Sequence, residues 1–130
     1  IRALVTDSSY ASVTDLIPHE IGRKTIVPKW IAPIFVPSAK TLADWFFGID
    51  IGELVPEKAV ESLDYPILII HGMKDTRISM KHSIRIHLAS SQKSQLWLVP
   101  EVDHVDAFSA HPEEYTHRVS LYFQSRLVEK

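Results

Sequence analysis

The sequence predicts an α/β protein whose strands form a doubly wound, parallel sheet. Three apolar runs, at residues 1–6, 65–72 and 95–100, alternate with segments of helical spacing. The middle run is apolar at consecutive positions, which is typical of a parallel strand buried on both faces. Because strands and helices alternate, the crossovers that join parallel strands have the helices they require.

The first half of the chain contains one strand and several short helices. Residues 1–6 predict a strand that ends at an Asp-Ser-Ser sequence, and residues 12–17 predict a helix that Pro18 stops. The proline-rich stretch 18–37 predicts short helical pieces and turns. Residues 41–47 have helical spacing, with Gly48 placed to end that helix, and residues 56–63 predict a further short helix.

The second half contains the clearer elements. After the strand at 65–72, residues 79–89 predict a helix and residues 95–100 predict another strand. Residues 112–127 predict a final amphipathic helix. Its apolar stripe consists of Tyr115, Val119, Tyr122 and Phe123.

Composition excludes several classes of function. Hydrophobic residues make up 45% and charged residues 23% of the 130 residues, as in an ordinary globular domain. The net charge of -2 gives no basic surface for nucleic acid, and the apolar runs are too short to span a membrane. The absence of cysteine excludes disulfides and is compatible with the cytoplasmic location that we predict. The chain opens with Ile1 in an apolar run, so we expect the natural N-terminus to lie upstream.

Two polar residues follow neighbouring strands of the predicted sheet. Asp75 lies just past the strand at 65–72, and His104 lies just past the strand at 95–100. Ligands of open parallel sheets bind beyond the carboxyl ends of the strands, so both residues lie where a site is expected. A carboxylate beside an imidazole can hold one ring tautomer and stabilise the ring's cation, as a catalytic triad requires.

The segments around these residues resemble the α/β-hydrolase family. Residues 65–75, Tyr-Pro-Ile-Leu-Ile-Ile-His-Gly-Met-Lys-Asp, resemble the family's acid segment, in which a Pro-led strand ends in His-Gly and the acid follows three residues later. Residues 99–104 resemble the last strand and histidine loop, and residues 3–12 resemble the strand and loop after the nucleophile helix. The resemblance covers essentially the whole chain. It is closest to the serine aminopeptidase, lysophospholipase and prolyl-oligopeptidase-like branches.

This resemblance implies one partial domain, residues 1–130, that holds the last three strands of the hydrolase sheet, with a cap-like insertion at 18–63. It also implies that Asp75 is the triad acid and that His104 is the base. The family's nucleophile elbow, G-x-S-x-G, is absent, because no glycine of the chain is followed two residues later by serine. We therefore expect the serine upstream, and we predict that this chain alone is inactive.

The remaining predictions concern the substrate and partners. Four aromatic residues of the cap-like segment are predicted to line the pocket for a small ester or peptide substrate: Trp30, Phe35, Trp45 and Phe46. No cofactor and no metal are predicted, since the paired histidines are five and six residues apart and do not share a helical face. Residues 1–6 are expected to leave an exposed strand edge that favours a homodimer.

Other interpretations of the same residues stay open. Asp75 could serve only to hydrogen-bond turn amides, and His104 could be a surface residue whose polar partner is Asp103 or Asp106. His71 is interpreted as structural. Ser8, Ser9 and Ser12 lack the glycines of a tight elbow and are interpreted as loop and cap residues. At the level of function, the alternatives are a non-catalytic hydrolase-fold scaffold and an enzyme with another nucleophile, such as a dehalogenase.

Overall fold

The computed structural model describes residues 1–28, 30–90 and 94–127. Its strands are β1 (Leu4–Asp7), β2 (Ile67–Gly72) and β3 (Ser94–Val99). They form one parallel sheet in the order β1-β2-β3, with β2 in the centre. The predicted parallel α/β class is therefore confirmed.

Helices connect and flank the strands. They are α1 (Val13–Lys24), a 3-10 helix (Ala32–Phe35), α2 (Val36–Phe47), α3 (Pro56–Glu61), α4 (Lys81–Ala89), α5 (Ala107–Ala110) and α6 (Pro112–Leu127). Among the described residues, none of these helices has the length and hydropathy needed to cross a membrane.

The chain divides into two compact units. The sheet unit, Ile1–Tyr10 and Glu57–Lys130, contains the three strands with α4, α5 and α6. The helical unit, Ala11–Pro56, contains α1, the 3-10 helix and α2. The helical unit overlaps the segment that was predicted as a cap-like insertion, residues 18–63, and its role as a cap stays a prediction.

The core of the sheet unit lies around β2, of which all six residues are buried. Leu68 and Ile70 pack with Val99, Val102, Ala107 and Tyr122, and Tyr115, Val119 and Phe123 of α6 pack against this cluster. The predicted two-sided burial of the central strand and the apolar stripe of α6 are thus confirmed. Fully burying a side chain of this size contributes about 1.5–3 kcal/mol, so this cluster is a principal source of the unit's stability.

The largest corrections to the predicted boundaries concern α1, α2 and β1, and the other boundaries differ by two residues or fewer. Pro18 does not stop the first helix but lies inside α1, which continues to Lys24. A proline removes only its own amide bond from the helical ladder, and the amides that follow it can still close their turns. The helix α2 begins at Val36 and not at 41, because Pro37 occupies the first turn, where an amide hydrogen has no intrahelical partner. The first strand begins at Leu4 and not at residue 1.

Candidate active site

Asp75 is held by the turn that follows β2. One carboxylate oxygen, Oδ1, accepts the amide hydrogens of Arg77 at 2.8 Å and of Ile78 at 2.7 Å. The amide of Asp75 donates to the carbonyl of Gly72 at 3.1 Å. The side chain of Asp75 is 0% exposed. Its own turn therefore satisfies one oxygen of the buried carboxylate and leaves the other for a different partner.

That partner is His104. Nδ1 of His104 lies 2.8 Å from Oδ2 of Asp75, and its hydrogen bond joins residues 29 positions apart in the sequence. Because Nδ1–H donates to the carboxylate, Nε2 is the ring nitrogen that remains to exchange a proton with a reacting group. The His104 side chain is 23% exposed, so a reactant can reach it. The structure brings the two predicted residues together, and their catalytic role stays a prediction.

Asp103 joins the histidine loop (Pro100–Asp106) to the acid turn (Gly72–Ile78). Its Oδ1 accepts the amide hydrogens of Thr76 and of His104, each at 2.8 Å. These two hydrogen bonds hold the pKa of the Asp103 carboxyl below its ordinary value. Asp103 therefore binds the backbone of both loops, while the ring of His104 takes Asp75 as its carboxylate.

Ser8 holds the other side of the histidine loop from the end of β1. Its hydroxyl accepts the amide hydrogen of Val105 at 3.1 Å and donates to Oδ1 of Asp7 at the same distance. Ser8 is buried, and its own amide donates to the carbonyl of Ile70 at 3.0 Å. From the sequence, Ser8 is interpreted only as a loop or cap residue, because its contact with Val105 spans 97 positions and has no local signal.

Strained backbone is concentrated at this edge of the sheet. Ser8, Glu101 and Val105 have φ angles of 51°, 60° and 59°, and they are the non-glycine residues with positive φ in the described part of the chain. A left-handed conformation costs a residue with a side chain roughly 1–2 kcal/mol. Such strain persists only where the surroundings enforce it, and it is common at functional sites.

Gly72 lets the histidine loop cross the end of β2. A Cβ atom at this position would lie 2.3 Å from the carbonyl oxygen of Val102 and 2.6 Å from that of Asp103. The amide of Lys74 donates to the Val102 carbonyl at 2.9 Å, which keeps the two segments at this distance. The glycine of the His-Gly pair is therefore required by a close approach of two backbones.

His71, the other residue of that pair, contacts the acid turn from inside. Its ring is 0% exposed. Nδ1 lies 2.7 Å from the hydroxyl of Ser83, and Nε2 lies 2.8 Å from the carbonyl of Ile78 and 3.3 Å from Oδ2 of Asp75. The sequence pointed to a backbone bond for this histidine but gave no sign of Ser83 or of the contact with Asp75.

The phenol of Tyr115 interacts with the carboxylate of Asp7, which also accepts the hydroxyl hydrogen of Ser8. Burial, followed by the charge of Asp7, raises the pKa of the Tyr115 phenol. At neutral pH this phenol therefore stays protonated and serves Asp7 as a hydrogen-bond donor.

The four predicted substrate-binding aromatics lie in the helical unit. Trp45 and Phe46 are on α2 with their ring centroids 5.0 Å apart, Phe35 ends the 3-10 helix, and Trp30 precedes that helix. Trp30 and Trp45 are 79% and 78% exposed, so neither is a core residue. Their role in binding substrate stays a prediction. Among the described residues, no three histidine, aspartate or glutamate side chains gather into a metal site.

Sequence comparison finds relatives of unassigned activity. No family model matches the chain. The chain is 27% identical over 129 residues to the uncharacterized protein YfhR of Escherichia coli K12, covering 98% of this chain and 38% of YfhR. It is 28% identical over 111 residues to YfhR of Salmonella typhi, covering 84% of this chain and 30% of that protein. The chain thus spans less than half the length of these relatives.

Solved structures show the same fold in hydrolases. The Pyrococcus furiosus esterase Pf2001 matches with a TM-score of 0.65 at 20% identity, over 98% of this chain and 45% of the esterase. The Pyrococcus horikoshii acylaminoacyl peptidase matches with a TM-score of 0.58 at 13% identity, over 98% of this chain and 20% of the peptidase. CarC, a serine hydrolase involved in carbazole degradation, matches with a TM-score of 0.60 at 14% identity, over 97% of this chain and 55% of CarC. At these identities the likeness shows the fold alone, and the chain has a partial α/β-hydrolase fold.

Proposed function

We propose that this partial α/β-hydrolase fold belongs to a serine hydrolase that cleaves carboxylic ester or amide bonds. Asp75 and His104 are its acid and base, and the part of the protein outside this chain supplies the serine. One observation carries the proposal: a fully buried carboxylate accepts Nδ1–H of a partly exposed imidazole at 2.8 Å. The pair lies beyond the carboxyl ends of β2 and β3, where sites of open parallel sheets are found.

The geometry supports a two-step acyl transfer. The serine hydroxyl attacks the substrate carbonyl carbon while Nε2 of His104 removes its proton. The tetrahedral intermediate expels the alcohol or amine, which takes that proton from His104, and an acyl-enzyme remains. Water then attacks the acyl carbon with His104 again as the base, and the carboxylic acid leaves as the serine regains its proton. Asp75 holds Nδ1–H of His104 throughout and stabilises the imidazolium that forms.

We further propose that the exposed aromatics of the helical unit favour acyl or aromatic substrates. Trp45→Ala in the whole protein is then expected to lower the kcat/KM of long-chain esters more than that of short-chain esters. Equal losses on both substrates, in parallel with a fall in Tm, would mean that Trp45 supports only the fold.

The test of the proposed function is covalent labelling of the whole protein with a fluorophosphonate, which reacts with activated serines. We expect one labelled serine, identified by mass spectrometry, and loss of labelling in His104→Ala. His87→Ala is the matched control. The ring of His87 contacts the hydroxyl of Ser94 at 2.6 Å, as the ring of His104 is proposed to contact the nucleophile, but Ser94 lies at the start of β3, away from the proposed site. Labelling is expected to survive in this control.

Other outcomes favour the alternatives. Halide release from haloalkanes without labelling would identify a nucleophile other than serine, as in a dehalogenase. Neither labelling nor turnover by a folded whole protein would favour a non-catalytic scaffold.

We also propose self-association through the edge of β1. In the described part of the chain β1 pairs only with β2, so its other edge has unpaired backbone groups. Light scattering of this chain at rising concentration should show dimers. A monomer at the highest concentration would contradict the homodimer predicted from residues 1–6.

A further inference from the structure

We propose that His71 is a positioning residue for the acid, with Ser83 fixing the orientation of its ring. Its effect on catalysis rests on the proposed function, whereas its effect on the geometry of His104 does not. Both side chains are 0% exposed, and their contact at 2.7 Å connects β2 to α4 across 12 positions of the chain. Neither residue touches a reacting group, so any influence on the reaction passes through Asp75.

The partners of the His71 ring define where its hydrogen lies. Nε2 faces the carbonyl oxygen of Ile78 at 2.8 Å, and a carbonyl can only accept, so Nε2 carries a hydrogen. In the neutral ring Nδ1 is then the acceptor, and the Ser83 hydroxyl donates to it. Every polar atom of the buried imidazole is thus satisfied, which is the condition for burying such a group without a large cost.

Ile78 transmits the position of His71 to Asp75. The carbonyl of Ile78 accepts from His71, while the amide of the same residue donates to Oδ1 of Asp75 at 2.7 Å. Holding Ile78 at its carbonyl therefore fixes the amide that sets the rotamer of the acid. The N–H edge of His71 also lies 3.3 Å from Oδ2, the oxygen that accepts His104. The partial positive charge of this N–H therefore faces the same oxygen that binds His104.

A purely structural histidine and a positioning histidine predict different results. A structural role predicts that its loss lowers the stability of the protein and leaves the kinetics of the folded fraction unchanged. A positioning role predicts a lower kcat at constant KM, because misplacing a catalytic group by an ångström can slow the reaction by up to about a hundredfold. It also predicts a changed environment for the Nδ1 hydrogen of His104.

The experiment compares His71→Leu with His71→Gln in the whole protein. Leucine removes both ring contacts, whereas the glutamine amide can donate a hydrogen near the position of Nε2. We expect kcat for ester hydrolysis to fall by up to about a hundredfold in His71→Leu and to recover to within about tenfold of wild type in His71→Gln, with KM unchanged. His87→Gln, at the other end of the sheet, is the control and should keep wild-type kcat.

Ser83→Ala tests whether the Ser83 hydroxyl fixes the orientation of the His71 ring, and it serves as the second variant if His71→Leu does not fold. It keeps the imidazole but removes the hydroxyl at Nδ1. We expect about a fivefold fall in kcat, the kinetic equivalent of one neutral hydrogen bond. Wild-type kcat in folded His71→Leu, or in folded Ser83→Ala where His71→Leu does not fold, would overturn the proposal.

Proton and nitrogen NMR of the imidazoles separates this proposal from the proposed function. In the wild-type protein, we expect the hydrogen of His71 to lie on Nε2 and the Nδ1 hydrogen of His104 to resonate downfield. That His104 resonance should move in both His71→Leu and Ser83→Ala and stay unchanged in His87→Gln. If the whole protein hydrolyses no ester, the proposed function fails, and the His104 resonance still decides whether His71 positions the acid.

Discussion

The acid turn (Gly72–Ile78) and the histidine loop (Pro100–Asp106) meet at the same edge of the sheet but are held in opposite ways. In the acid turn, the carboxylate accepts amide hydrogens from residues two and three positions further along, and the side chain is fully buried. In the histidine loop, the anchors come from elsewhere: Thr76 bonds Asp103 and Ser8 bonds Val105. Two residues of this loop also have left-handed backbone.

Asp75 is therefore preorganised by its own turn, whereas His104 is held in place by residues distant in the sequence. The orientation of Asp75 follows from local turn chemistry, which the buried His71 reinforces at the Ile78 carbonyl and at Oδ2 of Asp75. The orientation of His104 depends on several contacts that must exist at once. Substitutions in the acid turn should therefore affect chemistry directly, whereas substitutions around the histidine loop should affect it through backbone position.

The largest expected effect is that of Asp75→Asn in the whole protein. The asparagine oxygen can still accept the turn amides, but its amide group faces Nδ1 of His104 and favours the wrong ring tautomer. We expect kcat to fall by about ten-thousandfold with little change in Tm. A loss of less than about tenfold, measured by ester hydrolysis, would show that Asp75 only supports the turn.

Gly72→Ala probes the contact between the two segments. Its new Cβ would meet two backbone oxygens at 2.3 Å and 2.6 Å, so the histidine loop must shift. We expect the free energy of unfolding to fall by about 1–3 kcal/mol, as for overpacking of a core, together with a lower kcat.

Urea denaturation measures this effect, with Gly52→Ala as the control. The nearest atom to a Cβ at position 52 is the end of the flexible Lys40 side chain. If both variants lose the same stability, the close approach at Gly72 is not the cause.

Val105→Gly should release strain from the histidine loop. Valine at a φ of 59° carries a left-handed cost of roughly 1–2 kcal/mol, and glycine adds back about 0.5–1 kcal/mol of chain entropy. We therefore expect a gain in stability of about 0.5–1 kcal/mol by urea denaturation. Val55→Gly, at a position without positive φ, should instead destabilise. A loss of stability in both would mean that the strain is not released.

The smallest expected effect is the contribution of Asp103 to the stability of the protein at low pH. Because its folded-state pKa is lowered, the ionised carboxylate adds stability above the unfolded-state pKa of about 3.9, and this contribution is lost as the pH falls through the folded-state pKa. Asp103→Asn keeps the acceptor for Thr76 but does not titrate. Below about pH 4, urea midpoints of wild type should therefore fall more steeply than those of Asp103→Asn. Parallel curves would contradict this linkage.

The sequence was sufficient for features with a local or periodic signal. The consecutive apolar residues of β2 and the stripe of α6 predicted their burial, and the ends of two neighbouring strands predicted that Asp75 and His104 lie near each other. The continuation of α1 through Pro18 was missed because a proline weakens a helix without always ending it. Ser83 and the role of Ser8 were missed because each contact depends on tertiary structure, which residue type and spacing do not encode.

The pairing of the strands also has a consequence for the order in which the molecule folds. Ile67 of β2 pairs with Ser94 of β3 and with Leu4 of β1, and the second closure spans more than twice as much chain. Longer loops cost more entropy to close, and non-local pairings slow folding. We expect β2 and β3 to associate first and to bring Asp75 and His104 together early. The contact between Ser8 and Val105, 97 positions apart, then forms late, so the histidine loop acquires its final conformation only when β1 has docked.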